Sequence, residues 1–349
     1  MANFLNNAWY VAFWISELDD KPLKKKILGR NVLFYRDSNG AAIGLSNECP
    51  HRFAPLHKGR IEGDTIECPY HGLRFDRTGL CVYNPYSDDC DGLPANAVLR
   101  AFPVVEKYRF IWVWMGDPQL ANEAEIPDYS FLDNTAAFTA TAEATLTMPV
   151  NYELILDNLM DLSHGQFLHA TTLGNSAMAA GSTTARKVGN IVYSERLNPA
   201  GEVPLLFAPA QLVDAGALVD FWNDMWWAPG SCYYLEVGIT PAGRPREEGV
   251  LIKSAQILTP VDERNTEYRH ILYRDFLKEN DAVTIAMEAL VSKAFSEEDE
   301  PMLIEVQDGM AGKDFWELRP AILKGDRAAI MVRRTMQKLI EDELNSSLS

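Results

Sequence analysis

Cys49-Pro50-His51-Arg52-Phe53-Ala54-Pro55-Leu56 and Cys68-Pro69-Tyr70-His71-Gly72-Leu73 are the stretches on which the fold turns. Sixteen residues separate His51 from Cys68. Two thiolates and two imidazoles in paired short motifs admit two readings. One is a structural zinc ion in a Cys2His2 tetrahedron. The other is a [2Fe–2S] cluster with two cysteines on one iron and two histidines on the other. Zinc fingers usually pair like ligands in sequence. Here each loop gives one Cys and one His, so two loops clamp a two-iron rhomb and each supplies one ligand per iron. Pro50 and Pro69 stiffen the loops, and Gly72 permits a tight turn. The pattern favours the cluster, held by Cys49, His51, Cys68 and His71.

Around these loops the sequence reads as short strands. Residues 9–14, 32–35, 65–68, 73–76 and 110–114 are apolar runs bounded by turn residues, with a hairpin turn at Asp37-Ser38-Asn39-Gly40 and another at Arg77-Thr78-Gly79. That spacing predicts a small β-sandwich or barrel. Periodicity fades over 116–147, which places a domain boundary near 140 and gives domains 1–140 and 141–349. A helix is expected over 151–162, burying Leu154, Ile155 and Met160. Strands return at 189–193, 231–237, 251–258 and 266–273. After 280 the chain reads as helical, with Ala282, Ile285, Ala286, Ala289 and Lys293 at helical spacing, then Ala329, Val332, Met336 and Leu339. The second domain is therefore an antiparallel sheet backed by helices, an α+β arrangement.

Asn158-Leu159-Met160-Asp161-Leu162-Ser163-His164-Gly165-Gln166-Phe167-Leu168-His169 holds two of the six histidines. A spacing of five does not put two side chains on one face of an ideal helix. If His164 and His169 bind one metal, the helix must loosen or end between them, and Gly165 or a local π or 3-10 segment allows that. A carboxylate would complete the facial triad of a non-haem Fe(II) site. Glu297-Glu298-Asp299-Glu300-Pro301 offers Asp299, with Glu298 and Glu300 as substitutes. On its residues alone that stretch reads first as an acidic helix start. Asp161, three before His164, can share a helix face with it and ligate the metal, orient a ligand, or pass an electron and proton inward. Asn158 lies one turn earlier, and Asp157 reads as a surface or capping carboxylate. His57 reads as a packing or surface histidine. His270 reads as a core histidine, with a pocket-lining role open.

At 349 residues two domains are the default. Apolar residues at 47% and charged residues at 23% are those of a soluble globular protein. There is no long uncharged apolar run and no secretory signal, so neither a membrane span nor export is expected. A net charge of −17 argues against nucleic-acid binding. Arg52, Lys58, Arg60, Arg74 and Arg77 read either as a solvated surface or as a docking patch for an acidic electron donor. Five cysteines make no disulfide scaffold, and Cys81, Cys90 and Cys232 read as buried free thiols in a reduced, cytoplasmic protein.

Taken together, these motifs resemble the oxygenase components of Rieske non-haem iron oxygenases, in the vanillate and dicamba O-demethylase group. The resemblance runs through Asn7-Ala8-Trp9-Tyr10-Val11-Ala12, both cluster loops, Tyr152 to His169, and Asp299-Glu300-Pro301-Met302. It implies an N-terminal all-β Rieske domain and a C-terminal helix-grip (START-like) catalytic domain. It implies Asp299 as the carboxylate ligand, reversing the helix-start reading. It also implies head-to-tail trimers, with the residue at Asp161 bridging the cluster histidine (His71) of one subunit to an iron histidine (His164) of the next. Asn158 would lie close to the iron, and both it and Asp161 are expected to act in catalysis. The chain departs from that group where polar residues hold the carboxylate of dicamba, since Leu235 and Leu251 stand there, which speaks against dicamba itself as the substrate. The Trp222–Trp227 stretch either lines a pocket or is core.

No G-x-G-x-x-G fingerprint and no ferredoxin-type cysteine run are present, so electrons from NAD(P)H are expected through a separate ferredoxin or flavin reductase. The reading is a monooxygenase that O-demethylates a small methoxylated aromatic acid and releases formaldehyde. Hydroxylation of a methyl group on an aromatic acid or sulfonate, as in toluenesulfonate enzymes, is the alternative. A Rieske electron carrier without oxygenase activity and a zinc-stabilised binding protein are readings from other classes.

Overall fold

The computed structural model describes residues 4–86, 94–174 and 181–346, so Cys90 lies outside it. The chain divides into two compact units, Met1–Ile126 with Thr259–Glu263, and Pro127–Leu258 with Arg264–Ser349. The division falls ahead of residue 140 because strands Thr139–Ala140 and Ala144–Met148 already pair with Thr266–Arg274 in the second unit.

The first unit is all-β apart from single 3-10 turns. Its strands are β1 (Trp9–Trp14), β2 (Leu23–Ile27), β3 (Arg30–Arg36), β4 (Ala42–Ser46), β5 (Arg60–Glu62), β6 (Thr65–Glu67), β7 (Arg74–Phe75), β8 (Cys81–Tyr83), β9 (Ala101–Phe102), β10 (Val104–Lys107) and β11 (Phe110–Trp114). They form three sheets, in the orders β1-β11-β10, β2-β3-β4-β9 and β5-β6-β7-β8. Every residue of β1 and β11 is buried. Such unbroken aromatic and branched runs suit strands covered on both faces. The expected turn between β3 and β4 is closed by Asp37, whose Oδ1 accepts from the main chain of Asn39 and Ala41, and Gly40 takes φ +81°. Cys49 and Cys68 are packed into a core with Leu33, Leu45, Leu56, Ile66 and Phe75.

The second unit carries β12 (Thr139–Ala140), β13 (Ala144–Met148), β14 (Ser182–Val188), β15 (Ile191–Gly201), β16 (Val219–Ala228), β17 (Cys232–Pro241), β18 (Val250–Pro260) and β19 (Thr266–Arg274). They make one sheet in the order β12-β19-β18-β17-β16-β15-β14, with β13 also on β19. The strand expected from 189 begins later, because Gly189 sits in the β14–β15 turn at φ +58°. Trp222 and Trp227 on β16 are core side chains, each 1% exposed or less.

The helices are α1 (Tyr152–Met160), α2 (Gly165–Leu168), α3 (Asp281–Lys293), α4 (Glu300–Gly309) and α5 (Arg327–Ser346). Asn151 caps α1 through its Oδ1, which accepts from Glu153 N at 2.8 Å. Leu154, Ile155 and Met160 are buried as expected, together with Tyr152, Leu156 and Leu159. On α3 the buried face is Val283, Met287 and Val291, not the alanine face around Ile285, which is 65% exposed. Both stripes have helical spacing. The larger side chains win because they remove more apolar area from water. Asp157, expected at the surface, instead accepts from Arg333 of α5 at 2.7 to 3.0 Å, while Glu153 accepts from the same guanidinium at 2.8 Å. These bonds tie α1 to α5. Among the described residues no helix is long and apolar enough to cross a membrane.

Candidate metal centres

The two cysteine–histidine loops share one backbone design. Cys49 N donates to Ala54 O at 2.9 Å and Phe53 N to Cys49 O at 2.8 Å. Cys68 N donates to Leu73 O at 2.8 Å and Gly72 N to Cys68 O at 3.0 Å. The equivalent positions Phe53 and Gly72 both take positive φ, +57° and +71°. Glycine does so freely, whereas phenylalanine is strained there. The turns bury both thiols, and the His51 and His71 rings lie 4.5 Å apart between centroids. Burial, reinforced by the neighbouring Cys68, pushes the Cys49 thiol up to about 11. A thiol held protonated by burial is no nucleophile. Two soft sulfur donors beside two imidazoles fit a mixed Cys/His cluster. Of the basic residues nearby, Arg60 pairs with Glu62 and Glu67, Arg74 with Glu67, and Arg77 with Asp37. The patch is thus largely neutralised within its own unit.

The second centre is built where α1 ends. Asp161 is extended (φ −132°, ψ 91°), a 3-10 turn runs over Leu162–His164, and α2 follows. The interruption therefore precedes His164. Gly165 itself is helical (φ −56°), and the helix ends between the histidines as expected, but at Leu168 and not at the glycine. The close return of the chain needs Gly174 instead, where a Cβ would lie 1.8 Å from Gly165 O. Asp299 ends a π-helical segment, Ala294–Asp299, wedged between α3 and α4. Such a bulge turns Asp299 inward, where it is 5% exposed, rather than leaving it on a solvated helix start.

His164, His169 and Asp299 bring their donor atoms within 4.8 Å of one another. The two Nε2 atoms are 3.2 Å apart, and Asp299 Oδ1 lies 3.3 Å from His169 Nε2 and 3.8 Å from His164 Nε2. Both outer ring nitrogens are occupied. His164 Nδ1 donates to the Asp161 carbonyl at 2.7 Å, and His169 Nδ1 donates to Glu298 Oε2, also at 2.7 Å. Thr172 Oγ1 donates to the same Glu298 oxygen. These bonds fix the tautomers so that both Nε2 atoms face Asp299. Burial drives the His164 pKa down, although the carboxylate of Asp299 opposes it. At His169 burial also lowers the pKa, but Asp299 and Glu298 outweigh it and the net shift is upward. Two histidines and a carboxylate at this spacing fit a mononuclear non-haem iron.

Asn158 Nδ2 donates to Asp299 Oδ1 at 2.9 Å and lies 3.5 Å from His164 Nε2, the nearness that the family resemblance implied. Asp161 does not share a helix face with His164. Its carboxylate caps the 3-10 turn through Ser163 N at 2.9 Å, and its main chain is what reaches His164. Glu298, considered only as a substitute ligand, holds His169 from behind. The sequence clue to it was its place next to Asp299. His270 is buried with Tyr268 and Phe295, and His57 Nδ1 meets Asn47 Oδ1 at 2.9 Å.

A pocket of about 810 Å³, mouth included, opens onto His164, His169 and Asp299. Its walls are mostly Leu, Ile, Val and Phe, and Asn223, Ser254 and Gln256 are its polar members on the sheet side. Leu235 lines it, but Leu251 does not. On β18 the two-residue alternation turns Ile252, Ser254 and Gln256 inward instead. The signal for these residues was polar side chains recurring at every second place of an apolar strand.

Comparison with known proteins agrees with both centres. Residues 8–103 match the Rieske [2Fe–2S] domain family, and residues 148–342 match the family described as vanillate O-demethylase oxygenase C-terminal domain. The chain is 35% identical over 341 residues to the oxygenase component of chloroacetanilide N-alkylformylase from Rhizorhabdus wittichii, covering 97% of each. It is 34% identical to the oxygenase component of dicamba O-demethylase from Stenotrophomonas maltophilia, covering 96% of this chain and 98% of that one. The crystal structure of dicamba monooxygenase bound to 3,6-dichlorosalicylic acid superposes with a TM-score of 0.90 at 34% identity, over 98% of this chain and 99% of that one. A Rieske domain joined to that C-terminal domain, which alone spans more than half of the sequence, makes this chain a member of the Rieske non-haem iron oxygenases, an oxygenase component in the group of the vanillate and dicamba O-demethylases.

Proposed function

We propose that this oxygenase component removes a methyl group from a heteroatom of a small aromatic substrate, with O-demethylation and release of formaldehyde as its principal reaction. The observation that carries the reading is the apolar pocket that opens onto His164, His169 and Asp299. It suits a ring with an alkyl substituent aimed at the metal-binding residues.

Cys49, His51, Cys68 and His71 would hold the cluster, and His164, His169 and Asp299 the iron. Bound together, these groups supply electron storage and dioxygen activation. The chain's own residues do the rest. Glu298 and the Asp161 carbonyl keep the two imidazoles in one tautomer. Asn158 holds Asp299 in place and keeps an amide beside the metal position. The apolar walls exclude water from the reacting carbon. Overall, the aryl methyl ether, O2, two electrons and two protons give the hemiacetal Ar–O–CH2OH and water. The hemiacetal then loses formaldehyde as its C–O bond breaks and the phenol oxygen takes the proton. The electrons come from NAD(P)H through a separate reductase. Asp161 serves passage between the cluster of one subunit and the iron of the next in a trimer.

N-dealkylation is a second reading. It is favoured by the amide side chains in the pocket wall and proceeds by the same oxidation next to nitrogen. Formaldehyde release from a panel of methoxy- and N-alkyl-aromatics, with reductase, NADH and O2, tests both. Oxygen uptake without aldehyde from any member would contradict the proposal.

A further inference from the structure

We propose that the pocket selects an uncharged aromatic substrate bearing a hydrogen-bond acceptor, a carbonyl oxygen above all, and disfavours the aromatic carboxylate that the sequence suggests. The inference rests on the dealkylation reading and specifies the substrate class of the same site. Among the described residues that line the pocket there is no Lys or Arg. None of the residues outside the described structure is Lys, Arg or His. No cationic side chain therefore lines the wall to meet a substrate anion, and burying an unpaired carboxylate is costly.

Two buried cations share the sheet face. Arg274 on β19, two places from the pocket-lining Leu272, donates from Nη1 to Thr284 Oγ1 at 2.7 Å and from Nη2 to the carbonyls of Leu277 and Asn280 at 2.9 Å. Arg196 on β15 stands opposite Asn223 on β16. Its guanidinium is already engaged. Nε donates to Asn198 Oδ1 at 3.2 Å and Nη1 to Thr183 Oγ1 at 2.9 Å.

The polar side chains on the sheet side of the pocket, Asn223, Ser254 and Gln256, are neutral, and the oxygens of the two amides are already used. Asn223 Oδ1 accepts from Asn198 Nδ2 at 3.3 Å, and Gln256 Oε1 accepts from the Tyr268 hydroxyl. Both side chains are buried, at 1% and 3% exposure, so each amide is held with its NH2 group free of protein partners among the described residues. Ser254 Oγ donates to Ile271 O at 3.1 Å. The wall therefore offers two fixed N–H donors and no charge. A buried donor left unmet is unfavourable, so the site discriminates in favour of a ligand that supplies an acceptor.

The test uses the holoenzyme and three probes of one shape: 3-methoxybenzamide, 3-methoxybenzoate and 3-ethylanisole. Calorimetric titration should give the amide at least roughly tenfold tighter binding than the benzoate. Asn223→Leu and Gln256→Leu should each weaken the amide by about tenfold and leave 3-ethylanisole within about twofold. Arg196→Gln should leave the amide-to-benzoate ratio unchanged. Benzoate binding equal to or tighter than the amide overturns the inference, as does failure of both to bind, and neither result depends on a variant folding. If the amide binds with the expected preference but yields no formaldehyde, the demethylation reading fails and the inference stands. If the benzoate is preferred and demethylated, the reverse holds.

Discussion

In the N-terminal unit the candidate cluster donors come from two loops, Cys49–His51 and Cys68–His71, each closed by the same pair of main-chain hydrogen bonds. In the C-terminal unit the candidate iron donors come from places far apart in the chain: His164 and His169 at the end of α1, and Asp299 in a π-helical segment after α3. The first arrangement is written locally, and a turn of a few residues suffices to aim its ligands. The second exists only once the sheet, α1 and α3 have packed. Damage to distant packing should therefore affect the two regions unequally.

The largest such effect is expected at Arg333. Burial already raises the pKa of both Glu153 and Asp157 despite the guanidinium beside them. Arg333→Met would leave two carboxylates without their cation, at a cost of about 3 kcal/mol, the low end for a broken buried pair because both keep some contact with water. Urea unfolding should show this loss. Iron occupancy should fall in the variant while the cluster absorbance is kept. Equal loss of both would break the contrast.

Glu298→Ala acts closer in and more gently. Removing the acceptor behind His169 should lower iron affinity roughly 10- to 100-fold, with Glu298→Gln in between, measured by competition with a chelator. Unchanged affinity would mean that the imidazole is held by other groups.

The smallest effects test the local half. Gly72→Ala at φ +71°, with its Cβ 3.3 Å from Pro85 Cγ, should cost about 1 kcal/mol. Phe53→Gly at the matching position should gain about 0.5 kcal/mol, because relief of strain is partly offset by glycine's entropy. Thermal melts of the two variants should move in opposite directions.

The same contrast governs how much could be read from the sequence. Both cluster motifs and the strands β1 and β11 were legible because the information lies within a few residues: alternating ligands, prolines, and unbroken apolar runs. Asn158 was legible only through the family resemblance, because the helix face that would have linked it to His164 is broken at Asp161. Asp299 was not legible from its residues alone, since Glu-Glu-Asp-Glu-Pro is a good helix start and only the π-helical bulge turns Asp299 inward. The loosened helix was legible: a 3-10 turn carries His164 and α2 ends before His169, although the first break falls at Asp161, whose short side chain caps the new turn, and not at Gly165. The α3 face was misjudged because spacing alone does not say which of two stripes has more area to bury. The departure from the dicamba-binding pattern at Leu235 and Leu251 was legible in part: Leu235 lines the wall, Leu251 does not, and the polar groups on the sheet side are uncharged.

The claim under all of this is that one chain holds two different kinds of iron. The most direct measurement is iron and acid-labile sulfide analysis of anaerobically purified protein, paired with the visible spectrum, for the wild type and for His164→Ala. The account predicts that the variant loses the mononuclear iron and all turnover while its sulfide content and cluster absorbance match the wild type. A variant that keeps its full iron content and turnover, or a wild type with iron but no labile sulfide, would contradict it.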